Sequence, residues 1–97
     1  MYTWVIYDIH KNRTRQRVAK RCKFYGLVRV QKSVFLGKIK GKWLKRMYNE
    51  LSQTINLRTD RLLILPVSTH QFGRVMQAGV PPPVAVSLDD VKTKFFH

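Results

Sequence analysis

Residues 2–9 read Tyr-Thr-Trp-Val-Ile-Tyr-Asp-Ile, and the reading of this stretch decides the fold. Aromatic and β-branched side chains fill it, with neither Gly nor Pro, which predicts a strand. Side chains alternate between the faces of a strand. Tyr2, Trp4 and Ile6 therefore share one face with Asp8, while Val5, Tyr7 and Ile9 share the other. Both faces are apolar, so this strand needs cover on both sides. Asp8 falls at its C-terminal end, where side chains emerge from the edge of a sheet.

Working outward, Asn12 is a candidate N-cap for a basic helix over residues 13–25. Thr14, Val18, Cys22 and Tyr25 form its apolar stripe, and Gly26 stands where a C-cap glycine belongs. Residues 27–39 alternate and are rich in Val, Leu and Phe. They predict a strand pair, or one bent strand broken near residues 31–33, with Gly37 as a candidate bulge or bend. Residues 42–55 carry Leu44, Met47, Tyr48, Leu51 and Ile55 on one helical face, and Asn56 ends that helix. Residues 61–67 (Arg-Leu-Leu-Ile-Leu-Pro-Val) predict a second doubly buried strand, with Pro66 at an edge. Residues 74–77 are a candidate short strand. Residues 81–83 are three prolines that open a linker or arm running to His97.

The order β-α-β-β-α-β predicts an α+β, ferredoxin-like sandwich, with two helices on one face of an antiparallel sheet. The domain is expected over residues 1–79, and a tail over residues 80–97. Helices cover one sheet face only. A second copy packed on the other face is the economical cover, which predicts a two-fold homodimer.

Charge points to the partner. Of the net charge of +14, thirteen units lie in the first 46 residues, where Asp8 is the single acid. So lopsided a field fits a polyanion, nucleic acid being the commonest. Arg13, Arg15, Arg17, Lys20, Arg21 and Lys23 cover the first helix without one acid, whereas a merely solvated face mixes signs. Lys38, Lys40, Lys42, Lys45 and Arg46 form a second cluster. No base-reading motif is present, so contact with the phosphate backbone is expected. The lone cysteine, Cys22, fits a reducing cytosol and reads as a small buried hydrophobe. No run approaches the roughly 18 apolar residues of a membrane helix, and the start of the chain does not read as a signal peptide, so a cytoplasmic protein with no membrane partner is expected.

Asp8 is the candidate for chemistry. An acid inside so cationic a stretch has a packing reason or a metal to hold. Mg²⁺ often takes one or two protein carboxylates, keeping waters and phosphate oxygens for its other positions. A two-fold dimer through this sheet face can bring two Asp8 side chains together. Arg13, Arg15 and Arg17 open the adjacent helix, and their planar forks suit phosphate. The alternative is a strand-end acid paired with a nearby arginine. His10, His70 and His97 lack zinc spacing. His10 lies near Asp8 and reads mainly as a loop residue. Tyr2, Trp4, Trp43 and Tyr48 can stack on bases, though Trp4 and Tyr48 sit on faces expected to be core.

Four segments carry a resemblance. They are Val5-Ile6-Tyr7-Asp8-Ile9, Asn12-Arg13-Thr14-Arg15-Gln16-Arg17-Val18, the run from Gly26 through Gln31-Lys32-Ser33-Val34-Phe35, and the strand over residues 62–67. Together they resemble the small CRISPR-associated endoribonuclease family ("Cas two") over residues 2–79. The resemblance implies a ferredoxin-like homodimer in which Asp8 is a ligand of Mg²⁺, with Mn²⁺ as the alternative ion. It places Arg15, Arg17, Arg29, Ser33 and Phe35 around the active cleft. It implies cleavage of single-stranded RNA or duplex DNA, partnership with the CRISPR integrase subunit, and a scaffold role for spacer duplex DNA. It also implies that residues 71–79 lend a strand to the partner subunit. A metal-dependent nuclease, a non-catalytic duplex-binding scaffold and a general RNA-binding module on the same fold all remain open at this point.

Overall fold

The computed structural model describes residues 1–79; the linker and tail expected over residues 80–97 lie outside them. The elements run β1 (Tyr2–Asp8), α1 (Asn12–Phe24), β2 (Val28–Gln31), β3 (Val34–Lys38), α2 (Gly41–Thr54), β4 (Arg61–Val67) and α3 (Thr69–Phe72). The four strands form one antiparallel sheet in the order β2-β3-β1-β4, so the fold is the expected α+β, ferredoxin-like βαββαβ sandwich. β1 is central, pairing Tyr2 with Lys38 on one side and Asp8 with Arg61 on the other.

α1 and α2 cover the face that carries Val5, Tyr7 and Ile9. Val18, Ala19 and Cys22 of α1 and Met47 and Leu51 of α2 meet Phe35 of β3 there, in one continuous core. α1 ends where the sequence places its stop. Gly26 takes φ 85, its N–H donates to the Lys23 carbonyl, and the Leu27 N–H donates back to Cys22. That is the paired bonding of a Schellman ending, which a glycine adopts without Cβ strain. Its start differs from expectation. Lys11 occupies the cap position, with no side-chain cap bond, and Asn12 is already helical. Gly37 is not the bulge; that lies between Arg29 and Gln31. Gly37 is instead a point of close approach, since a Cβ there would come within 2.9 Å of the Leu27 side chain.

The opposite face is closed in part by an element the sequence reading did not anticipate. Residues 74–77 form no strand; the chain turns through α3 just before them. Ser68 caps α3 by accepting from the Gln71 N–H at 3.1 Å. Phe72 then lies stacked on Tyr2, ring centroids 4.1 Å apart, in a second small core with Val30 and Leu36. Among the described residues no element covers the part of this face that carries Ile6, Leu63 and Leu65. Ile6, Leu63 and Leu65 are 36%, 54% and 45% exposed, so β4 is not doubly buried within one chain. Register puts Ile6 beside Leu63 and Trp4 beside Leu65, so these side chains form one contiguous patch. Among the described residues no helix is long and apolar enough to cross a membrane.

Candidate nucleic-acid interface and phosphodiester site

Asp8 ends β1 on the bare face, two residues after Ile6. It is exposed, and among the described residues its carboxylate makes no hydrogen bond or ion pair. The alternative of a strand-end acid held by an arginine is therefore not what the chain adopts, although Arg61 is its neighbour in register across β4. Asp8 opens into a cavity of about 600 Å³ that wraps around the end of β4. Arg61, Leu63 and Ile6 line it from the sheet, Tyr48 and Ser52 from α2, and Asp60 from the loop between them. Tyr48 is thus not core: it is 53% exposed at this wall, and Trp4 is only half-buried.

Asp60 is the cavity's second carboxylate, and it is already engaged. Its oxygens accept from the backbone N–H of His10 at 3.0 Å and of Asn56 at 2.9 Å, and from the Thr59 hydroxyl. The His10 and Asn56 amide bonds hold its pKa below the usual carboxylate range, because they favour the charged form. Asp60 therefore ties the β1–α1 loop to the α2–β4 loop and fixes the end of the strand that carries Asp8. His10 takes part through its backbone, and its exposed ring is not needed for that contact.

The basic candidates divide into those tied to the protein and those free to face a ligand. Arg15 is tied. Its guanidinium donates to the carbonyls of Ile9 at 2.8 Å and His10 at 3.0 Å and reaches Asn12 Oδ1 at 3.3 Å. It stiffens the turn behind Asp8. Arg21 is tied as well, bonding Glu50 of α2 and lying over the rings of Phe24 and Tyr25. Glu50 also accepts from the Tyr25 hydroxyl at 2.6 Å, and that bond first, then Arg21, holds its pKa below the usual range. Arg13, Arg17 and Lys20 are exposed on α1 and reach into solvent. α1 has no acid in its first turn, although the positive end of a helix dipole favours one. Arg13, in that first turn, thus holds a position that local helix electrostatics disfavours.

The remaining family-implied positions separate in space. Arg29 lies on the helix-covered side, its guanidinium 5.1 Å from the centre of the Phe35 ring. Phe35 is fully buried in the main core, so it presents no surface to a substrate. Burial pushes the Tyr7 phenol up, and a hydrogen bond and the charge of Arg29 pull it the other way. Ser33 sits in the β2–β3 turn and accepts the Tyr7 N–H through its backbone carbonyl at 3.1 Å. One side of the strand end thus gathers Tyr7, Arg29 and Arg15, and the other presents Asp8. Cys22 is sealed in the core, and burial pushes its thiol up to about 12, which removes it from chemistry.

Lys38, Lys40 and Lys42 lie elsewhere. Lys38 pairs in register with Tyr2, at the start of β1, and Lys40 caps α2. β1 is seven residues long, so this cluster sits about 20 Å from Asp8 along the strand. The cationic surface has two separate parts.

Against this geometry, the description "CRISPR associated protein Cas2" matches residues 1–75. The chain belongs to the Cas2 family. A relative from Pyrobaculum aerophilum, named CRISPR-associated endoribonuclease Cas2 2, is 34% identical over 92% of this chain and 98% of its own. A CRISPR-associated endonuclease Cas1/endonuclease Cas2 fusion from Thermoproteus tenax is 28% identical over 86% of this chain and 31% of the fusion. The crystal structure of Streptococcus pyogenes Cas2 superposes with a TM-score of 0.70 at 28% identity, covering 81% of this chain and all of that one (100%). Cas2 membership and the sheet topology agree, since the match ends just past α3.

Proposed function

We propose that this Cas2 protein works in CRISPR adaptation as a two-fold homodimer that binds nucleic acid, and that it hydrolyses phosphodiester bonds with a divalent metal held at paired Asp8 side chains. The observation that carries the reading is Asp8 itself: an exposed carboxylate without a partner among the described residues, on the same sheet face as an exposed apolar patch, in a chain of net charge +14. Packing Ile6, Leu63 and Leu65 against a second copy would remove the patch from water and bring two Asp8 residues to one seam.

The donor set fits half of a metal site. No three His, Cys, Asp or Glu side chains gather among the described residues, and Asp60 has spent its oxygens on the loops. Among the described residues one chain therefore offers Asp8 alone, and a symmetric pair offers two hard oxygen ligands, which suits Mg²⁺ or Mn²⁺ with waters and phosphate oxygens completing the shell. Bound there, the ion would supply Lewis-acid polarisation of a phosphoryl oxygen and a lowered pKa for an attacking water. The chain's own residues do the rest. Arg13, Arg17 and Lys20 hold phosphates, Arg15 fixes the turn behind Asp8, and Arg29 braces Tyr7 at the strand end. The name of the Thermoproteus tenax fusion favours a Cas1-type integrase subunit as partner, with this protein as a scaffold for spacer duplex DNA.

Replacing Asp8 with Asn tests the catalytic half. Single-stranded RNA and duplex DNA are incubated with each protein, with and without Mg²⁺, and spacer integration is assayed alongside. Metal-dependent cleavage that disappears in Asp8→Asn, with integration intact, is expected. Wild-type protein that never cleaves, or a variant that cleaves equally well, leaves only the scaffold reading.

A further inference from the structure

At the end of the molecule remote from Asp8, a second cleft of about 400 Å³ lies between the C-terminus of α1 and the N-terminus of α2. Its walls are aromatic and its rim is basic. Phe24 is 67% exposed and Trp43 40% exposed, with Ile39 beneath them. Lys38, Lys40 and Arg46 line the opening. Lys42 and Arg46 stand 5.3 and 5.6 Å from the centre of the Trp43 ring. Phe24 and Trp43 keep exposed ring surface among these cations, and core packing does not explain it. They do not seal the core, which closes on Tyr25, Leu44 and Met47 behind them.

The wall is also held in place. Arg21 lies 4.3 Å from the centre of the Phe24 ring, and its bond to Glu50 anchors α1 to α2. The Tyr25 ring meets Phe24 edge-on at 5.3 Å. Phe24 is thereby kept at the surface. Aromatic platforms flanked by cations are what single strands recognise: bases stack, and phosphates run along the charges. A paired duplex has its base faces buried, so it can use the cations and not the rings.

We propose that this cleft takes an unpaired nucleobase of a single strand, stacked against Phe24 and Trp43, with the flanking phosphates on Lys40, Lys42 and Arg46. Such a site would hold the frayed or single-stranded end of a nucleic acid whose body lies elsewhere on the protein. It makes no use of Asp8, and its failure would leave the phosphodiesterase reading untouched.

The test is fluorescence anisotropy with labelled probes: a short oligothymidylate, an abasic oligonucleotide of equal length, and a blunt duplex. Wild-type protein should bind oligothymidylate more tightly than the abasic strand. Phe24→Ser and Trp43→Ala should each weaken oligothymidylate binding by roughly 5- to 150-fold, the range for one stacked base, and leave abasic and duplex binding unchanged. Trp43→Phe keeps a stacking face and should restore most of the affinity, which separates stacking from folding. Equal affinity for the abasic strand and oligothymidylate, or unchanged binding in both aromatic variants, overturns the proposal. So does a cleft that binds oligoglutamate and not oligothymidylate.

Discussion

Leu63→Ala is the perturbation that most directly tests the paired-subunit reading. Complete burial of a leucine side chain stabilises by about 1.5–3 kcal/mol. Leu63 is 54% exposed in the single chain, so covering the remainder contributes ~1 kcal/mol. A two-fold axis repeats every substitution, and the truncation therefore removes about 2 kcal/mol from association, roughly 30-fold in the dissociation constant. The folded subunit itself should lose little, because the side chain projects outward from edge strand β4. Sedimentation equilibrium over a concentration series reads the association, and thermal melting of the dissociated form reads the fold. Metal-dependent cleavage should track the dimer fraction, since one subunit supplies one Asp8. A dimer unaffected by Leu63→Ala would place the seam away from this patch. A wild-type monomer that cleaves at full rate would remove the need for a pair of carboxylates.

Two further outcomes follow from single residues. Thr3 is fully buried, and its hydroxyl has no hydrogen-bond partner among the described residues. Thr3→Val keeps the shape and removes that burial cost, so it should raise stability by ~1 kcal/mol in urea unfolding; a loss would mean the hydroxyl is satisfied in solution. The pKa of Asp60 is lowered in the folded protein, chiefly by the His10 and Asn56 amides. Its contribution is therefore full above the ordinary carboxylate value and is lost as pH falls through the depressed one. The amide resonances of His10 and Asn56 should titrate together with a midpoint below the ordinary carboxylate pKa, and a midpoint at or above it would show that the two bonds are not kept in solution.

The fold was largely legible because its signals are local. The alternation in residues 2–9, the helical stripes of α1 and α2, and Gly26 at a helix end each follow from a few neighbouring side chains. α3 had a local signal too: Ser68 followed three positions later by Gln71 is a capping pattern, and it stood just ahead of the stretch read as a strand. The site was legible in part. Asp8 stood out because an acid is anomalous among so many cations, and charge alone marked α1 and the lysines of the β3–α2 turn. The family resemblance added Arg29, Ser33 and Phe35, whose separate duties no spacing could reveal.

The amino-acid sequence by itself determined the four strands and two long helices, and that those two helices would leave one sheet face uncovered, while its net charge raised the expectation of an anionic partner. Periodicity and net charge are properties of the chain in one dimension. Only the tertiary structure decided which cations are available. Arg15 and Arg21 are consumed by carbonyls and by Glu50, while Arg13, Arg17 and Lys20 reach solvent. It also decided that Asp60 shares a cavity with Asp8 from across the sheet, and that Phe24 and Trp43 meet at one cleft. Those juxtapositions depend on packing between segments distant along the chain, and a side chain's partners are set by distance in space.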